Sequence, residues 1–117
     1  MMSPTQESLI SRSIFDTTRD GVMITDADNR IVDVNPAFSQ TTGYSRAEVL
    51  GATPSLLKSG RHDEGFYQDM WHALAAHGYW QGEIWDRRKS GEIYLELLSI
   101  TRIRDEAGRT LRYVAVF

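Results

Sequence analysis

No cysteine occurs in this chain of 117 residues. Disulfides, a thiol nucleophile and a thiolate metal site are therefore excluded. No apolar run approaches the ~18 residues of a membrane helix, and no charged stretch followed by an apolar one opens the chain. Neither membrane contact nor secretion is expected, and the segment is expected to be cytoplasmic. Positive charge is in short supply: 13 Lys and Arg stand against 16 Asp and Glu, a net charge of -3. That leaves no basic footprint for nucleic acid. Catalytic signatures are missing as well. There is no nucleophile motif and no His-based metal spacing. The Gly-x-x-x-x-Gly occurrences lack the Lys-Ser/Thr that gives a phosphate loop its meaning. The chain is expected not to be an enzyme and to hold no metal. Repeats and low-complexity stretches are absent, and Met1-Met2 reads as an added start on an excised fragment.

What is present fits one soluble domain with a modest core: 41% of residues are hydrophobic and 25% charged. Pro4 to Thr18 reads as a helix whose Leu9, Ile10, Ile14 and Phe15 spread over roughly 240° of the wheel, more than one contact needs. Gly21 to Asp26 and Ile31 to Val34 read as a hairpin around the turn residues Asp26-Ala27-Asp28-Asn29. Asn35 caps a helix that has Pro36 in its first position and stops at Gly43. Ser45-Arg46-Ala47-Glu48 is a capping box for one further turn. Asp63 opens and Gly78 ends the longest helix, whose Phe66, Tyr67, Met70, Trp71 and Leu74 form an apolar stripe. Three strands follow, Trp80 to Arg88, Glu92 to Arg104 and Thr110 to Phe117. The order predicts an α+β fold: a five-stranded antiparallel sheet with helices packed on one face and an N-terminal flanking helix.

One ordered set of short motifs resembles a known family. Ile24-Thr25-Asp26, Val34-Asn35-Pro36-Ala37-Phe38, Thr42-Gly43-Tyr44-Ser45, Glu48 and Gly51 resemble the opening of a PAS domain, the sensor module of bacterial signalling proteins. Gly78 to Glu83, Asp86 to Glu92 and Tyr113 to Phe117 are similar to its last three strands. The resemblance implies a flanking helix over 1–18 and a PAS domain over 19–117. It also implies a ligand pocket, where there is one, between sheet and helices. It places Met23, Thr25, Phe38, Trp80, Ile84, Asp86, Tyr94, Glu96, Leu98, Ile100 and Phe117 at that pocket, with Gly82, Tyr113 and Ala115 also facing inward. Glu83, Trp85, Leu95, Leu97, Val114 and Val116 then face out. With Leu9, Ile10, Ile14 and Phe15 they make an apolar surface that either a homodimer or the N-terminal helix alone would cover.

Asp86 and Glu96 stand where flavin-binding relatives carry amide side chains, and Phe117 where light-sensing relatives carry glutamine. Ionised carboxylates only accept hydrogen bonds, whereas the flavin edge mixes donors and acceptors. The expected state is no cofactor, with FAD as the alternative. Trp80 and the preceding glycine resemble redox sensors that regulate nitrogen fixation, and Arg61-His62-Asp63 a flavin-holding loop of an aerotaxis receptor. A thiol adduct is excluded. Haem is disfavoured, because His72 lies off the apolar stripe and His77 in the last turn of its helix. Buried carboxylates need partners, so Arg61, Arg88 or Arg102 is expected to pair with Asp86 and Glu96 unless a donor-rich small molecule does. A carboxylate pair on adjacent strands also occurs in glycosidases, but nothing else supports that reading.

The resemblance implies a sensor that binds a small ligand or partner and regulates an effector domain of the same polypeptide. Cyclic-di-GMP synthesis or degradation domains of the GGDEF and EAL types come first, and histidine kinases second. A ligand-free dimerisation module is the rival. A surface salt bridge between Glu48 and Lys89 is expected, since the family sets those segments side by side.

Overall fold

The computed structural model describes residues 2–117; Met1, and with it the reading of Met1-Met2, lies outside the described residues. Helix α1 (Pro4–Thr17) begins at a capping box in which Ser3 and Gln6 satisfy each other's backbone N–H groups. Strands β1 (Val22–Thr25) and β2 (Ile31–Val34) form the hairpin. Helix α2 (Pro36–Thr42) runs from the Asn35 cap to Gly43, which adopts a left-handed φ of 81°. Helix α3 (Arg46–Val49) carries the Ser45–Glu48 capping box. A 3-10 turn, Pro54–Leu57, precedes helix α4 (Glu64–His77), which is capped by Asp63 and ended by Gly78. Strands β3 (Tyr79–Arg87), β4 (Ile93–Arg104) and β5 (Thr110–Val116) complete the chain.

The strands form one antiparallel sheet in the order β2-β1-β5-β4-β3. The first and last strands in sequence thus meet in the middle, and β3 is an edge. The architecture is the expected α+β one, with every strand end within one residue of the expected limit. The 3-10 turn was not expected. Inward side chains of the sheet, Met23, Ile84, Leu98 and Ala115, join Ile31, Val34, Phe38, Val49, Leu57, Met70 and Leu74 in a single core. In the α4 stripe Met70 and Leu74 are buried, while Trp71 is 37% exposed and sets its ring edge against Tyr113.

Two ties position the helices over the sheet. Asn35, 1% exposed, accepts from the N–H groups of Phe38 and Val22 and donates to the carbonyls of Phe15 and Asp20. One side chain thereby joins α1, β1 and α2. The second is the expected ion pair, Lys89 Nζ to Glu48 Oε2 at 2.5 Å, which pins the β3–β4 turn to α3. The Lys89 N–H also donates to the Thr42 carbonyl at 2.8 Å.

Helix α1 leaves most of its apolar side chains open in the single chain. None of its residues is buried: Leu9, Ile10 and Ile14 are 67%, 44% and 63% exposed, and only Phe15 is half-buried. It is held at the β2 end of the sheet by Arg12, which pairs with Asp33 at 3.2 Å. It lies by Ile24 and Asp33 at that end and leaves the β4 part of the outer sheet face open, where Leu95 and Leu97 stand 46% and 59% exposed. Trp85, Val114 and Val116 on that face are half-buried.

Candidate functional site

Between the sheet and the α4 side lies a cavity of about 150 Å³. Its floor comes from alternate residues of four strands: Met23 and Thr25, Ile84 and Asp86, Glu96, Leu98 and Ile100, then Tyr113, Ala115 and Phe117. Side chains two apart on a strand share a face, which is why these sets reach one space. Its roof is Leu57, the last residue of the 3-10 turn, and Lys58 after it, with Tyr67, Met70 and Trp71 of α4. Exposed Ser55 and Lys58 and half-buried Asn29 stand at its mouth.

Eight of the residues expected at the pocket line it: Met23, Thr25, Ile84, Asp86, Glu96, Leu98, Ile100 and Phe117. Three do not. Phe38 is fully buried in the core and meets the Phe117 ring edge-on at 5.9 Å. Trp80 lies on the inward face but packs back over Gly82 and against Phe66, with ring centroids 5.8 Å apart. Tyr94 pairs with Asp86 across the strands, and the Arg88 guanidinium lies 3.9 Å above its ring. The roof residues Leu57, Lys58 and Tyr67 were not anticipated as lining. Tyr67 was visible as part of the α4 stripe, whereas a turn as short as Pro54–Leu57 leaves no periodicity to read.

The polar end of the cavity is the unusual part. Ile84 faces Glu96 and Asp86 faces Tyr94 in the β3–β4 register, so Asp86 and Glu96 are diagonal neighbours on the inward face. Asp86 is 6% exposed. Both Glu96 carboxyl oxygens are buried without a hydrogen-bond partner, as are the hydroxyls of Tyr67 and Tyr94. The expected arginine pairing does not form. Arg88 bonds Glu92 at 2.7 Å and the Thr41 carbonyl, Arg61 lies 4.3 Å above the Trp85 ring, and Arg102 reaches the Ala75 carbonyl at 3.3 Å. His62, on the loop beside the β3 edge, accepts the Trp85 N–H through Nε2 at 2.8 Å.

Unpaired burial sets the protonation of the two acids. Burial first, and then neighbouring Asp86, push the Glu96 carboxyl up to about 9. Burial likewise raises Asp86, against a lowering pull from Glu96 and His62. Tyr94 is raised by burial and then by the Glu96 and Asp86 charges, and Tyr67 by burial and then Asp86. At neutral pH Glu96 is therefore a carboxylic acid that both donates and accepts. This corrects the premise of two ionised carboxylates, and with it the hydrogen-bonding argument against flavin. Size is the stronger objection. A cavity of this volume holds about a single aromatic ring, whereas flavin presents three fused rings, and Phe117 fills one wall. In this arrangement the side chains leave room for about one ring.

His72 and His77 are exposed on α4 and away from the cavity. Among the described residues no group of three or more His, Cys, Asp or Glu is placed to hold a metal ion, and no helix is long and apolar enough to cross a membrane.

The sequence pattern of the PAS domain family matches residues 19–117. The chain is 36% identical over 95 residues to a nitrogen fixation regulatory protein of Klebsiella oxytoca, covering 81% of this chain and 19% of that protein. It is 33% identical over 88 residues to a blue-light-activated histidine kinase of Brucella canis, covering 75% and 18%. The chain thus spans about a fifth of the length of these relatives. Among solved structures, a PAS domain from Colwellia psychrerythraea superposes with a TM-score of 0.85 at 24% identity, over 93% of both chains. An RNA-binding light-oxygen-voltage receptor gives 0.90 at 24% identity, over 99% of this chain and 34% of that one. At these identities the structural likeness is one of fold.

Proposed function

The chain belongs to the PAS domain family, and on that premise we propose that it is a non-catalytic signal-input module whose signal is occupancy of the cavity between sheet and helices. The observation that carries the proposal is the polar end of that cavity. A purely structural core has no use for two diagonal carboxyls, each deeply buried and neither bonded to a cationic side chain. A ligand that supplied hydrogen bonds there would be favoured over the empty state, and the preference would shift the population of sheet and helix positions. Asn35 links the sheet side of the core directly to α1. The output would be an effector domain of the same cytoplasmic polypeptide, of the GGDEF or EAL type or a histidine kinase. The Brucella relative's name favours the kinase. The flanking helix 1–18 and the domain 19–117 would be separate working parts, with α1 as the connector and a second copy of the chain as partner.

Native mass spectrometry of the purified chain tests the proposal: a small molecule retained at one per chain supports it. A second reading, a flavin-binding sensor, draws on the names of the Brucella kinase and the light-oxygen-voltage receptor. Absorbance separates the two. The expected protein is colourless, and a blue-light band surviving dialysis would establish the flavin reading instead.

A further inference from the structure

We infer that the cavity is a site for a small organic cation: a molecule of about single-ring size whose protonated nitrogen head seats between Asp86 and Glu96, its apolar body lying against Met70, Leu98 and Phe117. The inference rests on the cavity being a ligand site, as proposed above, and adds the chemistry of what enters it.

Three observations carry it. The first is that Asp86, more than nine-tenths buried, and Glu96, whose carboxyl oxygens are both buried, face the cavity with no hydrogen bond from a cationic side chain, each having only the other acid as partner. Two carboxyl groups thus converge on one space, and the proton they share is the hydrogen bond between them. The second is that every nearby cation is committed elsewhere. Arg88 holds Glu92 and the Thr41 carbonyl and lies over Tyr94; Arg61 lies over Trp85; Arg102 holds the Ala75 carbonyl. Lys58, at the mouth, sets its Nζ 4.2 Å over the Tyr67 ring, and His62 uses Nε2 to accept the Trp85 N–H. Among the described residues no cationic side chain hydrogen-bonds the pair, and His62 and Arg88 act on it only through their charge. The third is the shape. The remaining wall is apolar, and about 150 Å³ suits one ring with a short polar head.

An amidinium matches this site best, since its parallel N–H groups fit carboxylates two bonds at a time. An ammonium supplies the same charge with less directional fit. An anion would face both acids and find only Lys58, at the rim. Without the ligand, a proton does the cation's work: Glu96 retains it up to about pH 9. Binding the cation therefore exchanges one positive charge for another. The head enters, the Glu96 proton leaves to solvent, and the net charge of the site is conserved.

The experiment is isothermal titration of the full chain with benzamidine and the smaller acetamidine, with neutral benzamide and apolar benzene as controls. Both amidines stay cationic across the pH range used. The expected result is amidine binding with release of about one proton, measured as a difference in heat between buffers of unlike ionisation enthalpy. Affinity should rise about tenfold per pH unit from neutral pH and flatten near 9. Benzamide should bind at least tenfold more weakly. Glu96→Gln should abolish the proton release and the pH slope. Asp86→Asn should weaken amidine binding at least tenfold, a second test that stands if the first variant does not fold. Benzamide matching benzamidine, or amidine binding without proton release, overturns the cation assignment and leaves the cavity as a ligand site. Benzene binding while neither amidine does has the same meaning. No binding of any of the four compounds, with no retained molecule in native mass spectrometry, overturns both.

Discussion

Glu96 and Glu48 are glutamates displaced in opposite directions, and the contrast makes the pH behaviour of the chain testable at the level of single side chains. Glu96 is raised from its ordinary 4.5 to about 9. Its folded state holds a proton that its unfolded state has lost, so its contribution is complete below pH 4.5, declines as pH rises towards 9 and is flat beyond. Glu96→Gln should remove that decline. Urea midpoints at pH 6 and 8.5 should converge in the variant, which should exceed the parent at pH 8.5 by about 1–3 kcal/mol, the usual cost of an unpaired buried polar group. A variant less stable than the parent at pH 8.5 would contradict the assignment. Glu48 is lowered to about 2, by the Lys89 hydrogen bond first and the Ser45 backbone next. Its contribution is present above 4.5 and fades as pH falls towards 2. Lys89→Ala should therefore be felt least in strong acid, where Glu48 loses its charge in both proteins. Neither protonation state could be read from the sequence. Strand alternation placed Asp86 and Glu96 on the inward face, but which arginines turn away from them depends on contacts with Glu92, Thr41, Trp85 and Ala75 that leave no local signal. The same holds for Gly82: it reads as a strand glycine, yet a Cβ there would come within 2.9 Å of the Trp80 indole. Gly82→Ala should cost about 1–3 kcal/mol and shift tryptophan fluorescence as the ring moves, and an unshifted spectrum would place the indole elsewhere.

Whole elements were more legible than the side chains between them, because caps and breakers act locally. Asn35-Pro36, the Ser45–Glu48 box, Asp63 and Gly78 each set a helix end from within one turn. The Pro54–Leu57 turn escaped because four residues carry neither periodicity nor a side-chain cap. Asn35 exceeded its reading. As a cap it needs only its oxygen, yet its amide also holds the Phe15 and Asp20 carbonyls. Asn35→Ala should therefore cost more than an ordinary cap: about 2–4 kcal/mol, from about 1 for the cap and the rest for buried backbone groups left unpaired. Asn35→Asp keeps both acceptor bonds and loses both donors. It should retain α2 while releasing α1, seen as hydrogen exchange that quickens over 4–17 and stays slow over 36–42. Uniform loss of protection in the Asp variant would show that α1 and the core are not separable, and that Asn35 is not the joint through which α1 could follow the sheet.

The whole molecule presents two apolar surfaces that its own fold leaves open. Leu9, Ile10 and Ile14 stand out from α1, and Leu95 and Leu97 from the outer sheet face, all at least 44% exposed. The helix is tied by Arg12 and Asn35 to the β1–β2 side of the core, with β5 between that side and β4. It leaves Leu95 and Leu97 exposed, so the full intrachain cover considered at the outset does not form. A second copy of the chain is the occupant we favour, because a two-fold pair lets the helix of each protomer lie on the sheet of the other and buries both surfaces with one contact used twice. Burying a leucine or isoleucine contributes about 1.5–3 kcal/mol. Phe15 is a poor probe, being half-buried with its ring against Arg12 at 5.0 Å. Ile14→Ser and Leu97→Ser are better, as both side chains are largely exposed in the single chain. Each should weaken the dimer by tenfold or more while leaving the urea midpoint of the monomer within about 0.5 kcal/mol. Light scattering over a concentration series measures the first effect and circular dichroism the second. An unmodified chain that scatters as a monomer up to millimolar concentration would end the idea and leave these side chains to an effector domain.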